Sequence, residues 1–301
     1  MKNVFFIVGP TATGKSELAA DASAEINGEI VSVDAFQIYR GLDLLSAKPD
    51  AATLAKAPHH LMGKLPLLEE MNAEKFRKLA LETIAEIHSR GKMAIVVGGG
   101  GLYIKALTHG LSRAPAADPD LRAQLNELSL ADLQEKLRQL DPSALVDLKN
   151  RRRVVRAIEI CLLSGKPASA QRTQWKSAEA AVSGGVFVFR DREDLYGRIN
   201  RRVEKMFEAG VIEEVRGVGP LSDTASKMIG LREIRDLLGA EMSSGQCIAA
   251  IQQATRRYAK RQLTWFRRQT SFQQLNLSVL SHVEAVERIS QAAKTFGVAR
   301  E

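Results

Sequence analysis

The chain has 301 residues, of which 45% are hydrophobic and 26% are charged, so it can bury the core of one large domain or two modest ones. Its two cysteines, Cys161 and Cys247, lie far apart without metal-ligand spacing, which excludes a disulfide framework and favours a cytoplasmic protein. No apolar run reaches the length of a membrane span, and the formal net charge of +8 points to a polyanionic partner.

Short apolar runs and helical patterns alternate in the N-terminal part of the chain. Strands are predicted at residues 4–8, 29–34 and 92–98, with a helix over 72–90 before the third strand. This β-α-β order is typical of a parallel sheet covered by helices. The fold class is therefore predicted as α/β, a sheet of the phosphate-loop type flanked by helices.

The pattern changes after a proline-containing stretch at residues 115–119. Helices are predicted at 121–128, 130–140 and 151–164, followed by a strand at 185–190. The remainder is predicted to be mostly helical, at 195–210, 230–238 and 245–268. We expect an N-terminal core part at 1–114, an all-helical insertion at 115–183, and a return strand with C-terminal helices of the core at 184–301.

A glycine-rich segment with the spacing G-x-x-x-x-G-K-S follows the first predicted strand and precedes a helical stretch. Such a loop aims backbone N–H groups at an anion, and the helix N-terminus adds partial positive charge. Lys15 adds a full charge, and the Ser16 hydroxyl is a candidate Mg²⁺ ligand. The alternative is an ordinary strand-to-helix turn. The predicted diphosphate- or triphosphate-binding residues, which we call the phosphate loop, are Gly9, Pro10, Thr11, Ala12, Thr13, Gly14, Lys15 and Ser16.

Polar or glycine residues end the second and third predicted strands, where ligands of parallel sheets bind. Asp34 ends the second and is interpreted as a Mg²⁺ ligand, a general base or a turn residue. Four glycines at residues 98–101, here called the glycine edge, end the third. They indicate either a close approach of the backbone to something bulky or a flexible turn.

Three basic clusters are candidates for anion binding. Arg152, Arg153 and Arg156 share a predicted helix whose buried face is expected to contain Val154, Val155, Ile158 and Leu162. Arg198 and Arg202 are either a diphosphate clamp or partners of Asp194 and Glu204. Residues 242–283 contain no Asp or Glu. Their cations, among them Arg257 and Arg261, alternate with Tyr258, Trp265 and Phe266, a combination that favours RNA unless the aromatic residues are core.

Several segments together resemble the tRNA dimethylallyltransferase family, also called isopentenyl-diphosphate:tRNA transferases. They run in family order along nearly the whole chain. Besides the phosphate loop they are DAFQIYRGLD (34–43), AKP (47–49), HHL (59–61), GGGGLYIKAL (98–107), RVVRAIE (153–159), INRRV (199–203) and residues 255–267.

The resemblance implies an enzyme that uses Mg²⁺ and transfers a dimethylallyl group from dimethylallyl diphosphate. The acceptor would be N6 of the adenosine 3′-adjacent to the anticodon, in tRNAs that read codons beginning with U. The helical insertion would grip the anticodon stem-loop. Asp34 would accept the N6 proton, and Lys15 would assist the departure of diphosphate. The residues expected to bind tRNA are Asp34, Ala35, Phe36, Gln37, Gly100, Arg122, Arg152, Arg153, Val154, Val155, Arg156, Arg257 and Arg261.

The chain departs from the family pattern at four positions: Gly100 stands where the family has Thr, Ala35 where it commonly has Ser or Thr, Gly63 where it has an acidic residue, and Leu231 where it has Tyr. The alternatives are a small-molecule kinase, a non-catalytic RNA-binding protein and a prenyltransferase acting on free adenylate. The basic segment and the insertion disfavour the kinase and the adenylate enzyme.

We expect the protein to be a monomer.

Overall fold

A computed structural model describes residues 3–111, 114–172, 184–269 and 272–298. The chain forms two compact units. The core unit comprises Met1–Thr108 and Val182–Glu301, and the helical unit comprises His109–Ala181. The predicted insertion, 115–183, begins six residues later, and its C-terminal boundary lies outside the described residues.

The core unit is built on a parallel sheet whose strand order is β3-β2-β4-β1-β5-β6. The strands are β1 (Val4–Val8), β2 (Gly28–Val33), β3 (His59–His60), β4 (Met93–Gly98), β5 (Gly184–Phe189) and β6 (Gln273–Asn276). Every predicted strand is present, whereas β3 and β6 were missed. Both lie at the edges of the sheet; β3 has two residues and β6 is mostly polar, so neither produces an apolar run.

Helices cover both faces of this sheet. The central strands are continuous apolar runs, as expected when both faces are buried. The helices of the core unit are α1 (Lys15–Glu25), α2 (Ala51–Lys56), α3 (Ala73–Ser89), α4 (Gly101–His109, its last residue beyond the unit boundary), α9 (Arg192–Glu208), α10 (Val211–Arg216), α11 (Leu231–Leu238), α12 (Ser244–Gln269) and α13 (His282–Val298). Phe5 and Ile7 of β1 pack with side chains of α1 and α13, whereas Phe6 packs with those of α3, α4 and α12.

The helical unit contains α5 (Pro119–Glu127), α6 (Leu130–Leu140), α7 (Arg151–Ser164) and α8 (Ala168–Arg172). Local sequence sets the helix starts: Asp118 accepts hydrogen bonds from two N–H groups of α5, and Ser129 forms a capping box with Asp132. The core of the unit includes Leu133 and Ile158. Leu162, expected on the buried face of α7, is 42% exposed, so that expectation is wrong.

Candidate active site

The phosphate loop connects the end of β1 to the start of α1. Gly14 has φ +93°, a left-handed conformation that suits glycine, and Ala12 adopts φ +65°. The Thr13 hydroxyl and the Lys15 ammonium both donate to the carbonyl oxygen of Pro10, at 3.0 and 3.1 Å. These contacts fold the loop back on itself. At Gly9 a Cβ atom would lie 2.2 Å from the Val188 carbonyl oxygen of β5, so the close approach of β5 requires glycine.

Arginines from the end of β5 and from α9 surround this loop. Nε of Arg198 donates to the carbonyl oxygen of Ala12 at 2.9 Å, and a terminal nitrogen of Arg202 donates to the Thr11 hydroxyl at 2.9 Å. The carboxylate of Asp194, a predicted alternative partner, accepts instead from Arg190. Both arginines of the predicted clamp therefore contact the phosphate loop.

Arg190 was not identified from the sequence as a site residue. Its Nε donates to the Thr13 carbonyl oxygen at 2.8 Å, while its terminal nitrogen donates to Leu277 and Asp194. It therefore anchors the loop to β5 and to the segment after β6. Its position at the end of a predicted strand was the available signal, because strand ends meet at the ligand edge of the sheet.

Burial disfavours the charged forms of two cationic side chains in this site. Desolvation lowers the pKa of Lys15 to about 8 and that of Arg202 to about 10. The negative charge of Asp34 opposes both shifts, and Nε of Arg202 is buried without a hydrogen-bond partner among the described residues. A bound polyanion would stabilise the charged form of both side chains and raise both pKa values again. The arrangement therefore favours an anionic ligand.

Asp34 directly follows β2 and has a structural contact of its own. Its Oδ1 accepts from the backbone N–H groups of Phe36 and Gln37, at 2.9 and 3.3 Å. The predicted turn role is thus present, and Asp34 also lines the cavity beside the loop. The Gln37 side chain donates to the Ala47 carbonyl oxygen at 2.9 Å, which fixes the segment after Asp34.

One cavity of about 630 Å³ collects most of the predicted diphosphate residues. The loop residues Thr11, Lys15 and Ser16 line it together with Asp34. Side chains of α9 complete the cationic wall. Those are Arg198, Arg201, Arg202 and Lys205. The cavity thus combines an anion-binding wall with a carboxylate that can accept a proton.

Other segments of this chain lie directly against the backbone of the glycine edge. A Cβ at Gly98 would lie 2.1 Å from the Val33 carbonyl oxygen, and one at Gly99 would lie 2.2 Å from the side-chain nitrogen of Gln262. These glycines therefore admit strand β2 and helix α12.

The other two glycines of the edge differ from each other. A Cβ at Gly101 would lie 2.7 Å from the Trp265 ring, which contacts the edge from α12. At Gly100 the nearest atoms, from Val33 and Tyr103, would be 3.1 and 3.2 Å away. The predicted close approach to the backbone is thus made by other segments of this chain at Gly98, Gly99 and Gly101, and Gly100 stays the candidate for an RNA contact.

The helical unit presents its predicted RNA-binding residues in two ways. Arg152 and Arg153 are exposed at the start of α7. Arg122 and Arg156 each donate to Oε2 of Glu159 at 2.7 Å, and that carboxylate is fully buried. Burial alone would raise the pKa of Glu159, but these two arginines and the Asp118 N–H hold it below its usual range.

Val154 and Val155, also predicted to contact tRNA, are 0% and 4% exposed. Their side chains pack in the core of the helical unit. Their burial agrees with the predicted buried face of α7, because the apolar stripe of an amphipathic helix faces its core. Their contact with tRNA stays a prediction and would have to involve the backbone.

The basic segment of α12 contains both predicted kinds of residue. Arg257 and Arg261 are exposed, and Arg261 lies over the ring of Tyr258 at 5.7 Å. Phe266 is fully buried in the main core, as the alternative reading of the aromatic residues predicted. The exposed cations remain available to a polyanion.

These features define an α/β protein in which a glycine-rich loop and a wall of cationic side chains lie at the carboxyl ends of parallel strands, the edge where ligands of such sheets bind. The family model named IPP transferase matches residues 37–269. The chain therefore belongs to the IPP transferase family.

Relatives with similar sequences carry the name tRNA dimethylallyltransferase. The protein named tRNA dimethylallyltransferase 1 from Citrifermentans bemidjiense is 42% identical, over 93% of this chain and 95% of its own. The Akkermansia muciniphila tRNA dimethylallyltransferase is 40% identical, over 95% and 98%.

Solved structures show the same fold. The full-length tRNA isopentenylpyrophosphate transferase of Bacillus halodurans matches with a TM-score of 0.74 and 32% identity, over 100% of this chain and 98% of that one. A eukaryotic dimethylallyltransferase matches with a TM-score of 0.85 at 24% identity, a likeness of fold alone.

Proposed function

We propose that this protein transfers the dimethylallyl group of dimethylallyl diphosphate to N6 of the adenosine 3′-adjacent to the anticodon, in tRNAs that read codons beginning with U, and releases diphosphate. The observation that carries the proposal is the meeting of the phosphate loop, Arg202 and Asp34 around one cavity. Relatives named tRNA dimethylallyltransferase, about 40% identical over nearly the whole chain, support it.

Diphosphate acquires negative charge as the bond to the prenyl carbon breaks. Lys15, Arg198 and Arg202 face the cavity and would stabilise that charge together with N–H groups of the phosphate loop. The loop thus binds a leaving group. Because the charge grows during bond cleavage, the same contacts stabilise the transition state more than the bound substrate.

The donor atoms present fit a Mg²⁺ ion shared with diphosphate. Mg²⁺ usually takes one or two protein oxygens in addition to phosphate oxygens and water. The Ser16 hydroxyl at the start of α1 lines the cavity and would supply such an oxygen. The ion would add positive charge beside the leaving group.

Asp34 is the proposed base for the N6 proton. An exocyclic amine becomes acidic as its nitrogen attacks the prenyl carbon, so a carboxylate at the attack site can accept the proton. Asp34 is anchored through Oδ1 by two backbone N–H groups, which holds the carboxylate in a fixed position. The adenine N6 is a weak nucleophile, so its reaction depends on the base and the prenyl carbon being held in fixed positions around it.

The tRNA would be bound by exposed cations of both units. Arg257 and Arg261 on α12, and Arg152 and Arg153 on α7, meet the requirement for phosphate contacts. The proposed RNA-binding set also includes Ala35, Phe36, Gln37, Gly100, Arg122 and Arg156. We propose that the helical unit binds the anticodon stem-loop.

We propose that the enzyme acts as a cytoplasmic monomer. Its two cysteines are free and buried, in keeping with a reducing compartment. Among the described residues, no helix is both long and apolar enough to cross a bilayer.

The test uses dimethylallyl diphosphate, Mg²⁺ and an unmodified anticodon stem-loop with adenosine 3′ to the anticodon. We expect a mass increase of one dimethylallyl group on that stem-loop, and none when the adenosine is replaced by guanosine. Asp34→Asn should lower kcat by about 10²–10⁴-fold, the usual contribution of a general base. Binding of magnesium diphosphate should persist in this variant.

Two outcomes contradict the proposal. Absence of the mass increase with folded protein that binds tRNA and magnesium diphosphate would refute the transfer reaction. An unchanged kcat in Asp34→Asn would refute the assigned base while leaving the reaction in place.

A further inference from the structure

A single buried side chain of α12 connects the phosphate loop to the glycine edge. Oε1 of Gln262 accepts the backbone N–H of Thr11 at 2.9 Å, and its Nε2 donates to the carbonyl oxygen of Gly99 at 2.9 Å. Gln262 is 6% exposed. One buried amide therefore provides hydrogen-bond partners for both the Thr11 N–H group and the Gly99 carbonyl oxygen.

The surrounding backbone is shaped around this amide. A Cβ at Gly99 would lie 2.2 Å from Nε2 of Gln262, so glycine is required where the amide enters. The N–H of Gly9 donates to the carbonyl oxygen of Gly98 at 3.2 Å, which joins the same two segments a second time. Side chains of α12 thus pack directly against the backbone of the glycine edge.

The contact also fixes the orientation of Thr11. Its N–H is held by Gln262, and its hydroxyl accepts from Arg202. The next residue, Ala12, has φ +65°, a conformation that side-chain-bearing residues rarely adopt without support. The chain of contacts from Gln262 through Thr11 reaches the cationic wall of the cavity.

We infer that Gln262 is a positioning residue for the diphosphate site: by holding Thr11 it keeps the phosphate loop and Arg202 in the arrangement that receives diphosphate. The inference rests on the proposed function only for the identity of the prenyl donor. It assigns to α12 a task separate from RNA binding, because Gln262 is buried whereas Arg257 and Arg261 are exposed.

The first variant is Gln262→Met, which keeps the length of the side chain and removes both hydrogen bonds. We expect the Kd for magnesium diphosphate and the KM for dimethylallyl diphosphate to rise roughly tenfold, the effect of losing two hydrogen bonds of ordinary strength. The Kd for tRNA should stay unchanged. Gln253→Met, at an exposed position of the same helix, is the matched control and should leave diphosphate binding unchanged.

The second variant is Gln262→Glu, which separates positioning from general loosening of the helix. A protonated carboxyl has one acceptor and one donor, as the amide has, whereas the ionised form has no donor for Gly99. Burial at this position raises the pKa of the introduced carboxyl. Relative to wild type at each pH, diphosphate affinity should therefore be closer to normal at pH 5.5 than at pH 8. This variant also gives a reading if Gln262→Met does not fold.

Unchanged diphosphate affinity in Gln262→Met, or a loss in Gln262→Glu that is the same at both pH values, would overturn the inference. So would an equal weakening of tRNA binding in both variants, because that indicates a displaced helix. None of these measurements depends on dimethylallyl transfer. Failure of the proposed function would appear separately, as absence of transfer by the wild-type protein.

Discussion

Both units concentrate arginines, but they pair them with different acceptors. Beside the phosphate loop, Arg198 and Arg202 donate to a carbonyl oxygen and a hydroxyl, which are neutral. In the helical unit, Arg122 and Arg156 share the buried carboxylate of Glu159. The charges of Arg198 and Arg202 are therefore not neutralised by these contacts and can attract an anionic ligand. In the helical unit, one carboxylate neutralises half of the charge of the two arginines.

The difference shows why a cluster of cations in a sequence has no single meaning. Neutral acceptors orient a guanidinium without cancelling its charge, so the side chain remains an anion site. A buried carboxylate orients it and also reduces that charge, which makes the arginine partly structural. We therefore expect changes at Glu159 to affect stability, and changes at the loop to affect binding.

The largest expected effect follows from Glu159→Gln. It leaves Arg122 and Arg156 with a neutral partner at a fully buried position, so the helical unit should lose about 2–3 kcal/mol, near the usual cost of breaking a buried ion pair. Hydrogen exchange of α7 amides would show this as faster exchange, with the core unit unchanged. Glu135→Gln is the control: its pair with Arg138 is more than half exposed, so it should change stability by less than about 1 kcal/mol. Equal effects of the two variants would contradict the structural role of Glu159.

The second prediction concerns the pH dependence of diphosphate binding. The pKa of Lys15 in the free protein is lowered to about 8 by burial, and a bound anion raises it again. Lys15 is charged below pH 8 in both states, but above pH 8 binding must take up a proton. The Kd for magnesium diphosphate should therefore rise about tenfold per pH unit between pH 8 and 9.5.

Lys15→Arg provides the control for that profile. The guanidinium stays protonated over this range, so the rise in Kd above pH 8 should flatten even if the overall affinity is lower. Isothermal titration calorimetry at several pH values measures both proteins. Parallel profiles for the two would show that a group other than Lys15 takes up the proton.

The sequence predicted the parts of the fold and site that depend on local pattern. Apolar runs located the four longest strands, the loop spacing located Lys15 and Ser16, and Asp34 was placed at the strand end where the cavity lies. Each signal lies within one segment of chain. The strands β3 and β6 lack such a pattern, because their places are set by pairing with β2 and β5.

The contacts that the sequence did not predict join segments far apart in the chain. Gln262 meets Thr11 across 251 positions, and Arg190 meets Thr13 across 177. The glycine edge was interpreted through what glycine permits, yet the neighbours that use the space belong to β2 and α12. Val154 differs: helical periodicity placed its side chain on the buried face of α7, as observed, whereas the motif that includes it indicated only a contact with tRNA.

The smallest expected effect tests whether the Glu159 carboxylate keeps Arg122 from the RNA. Arg153 is exposed, so Arg153→Ala should flatten the dependence of log Kd for tRNA on log salt by about one, as expected for one lost phosphate contact. Arg122 already donates to Glu159, so Arg122→Ala should flatten it by less than about half as much. Filter binding at several salt concentrations measures both slopes. Equal slopes would mean that ion pairing inside the helical unit does not withhold an arginine from phosphate, and the contrast between the two units would then apply to stability alone.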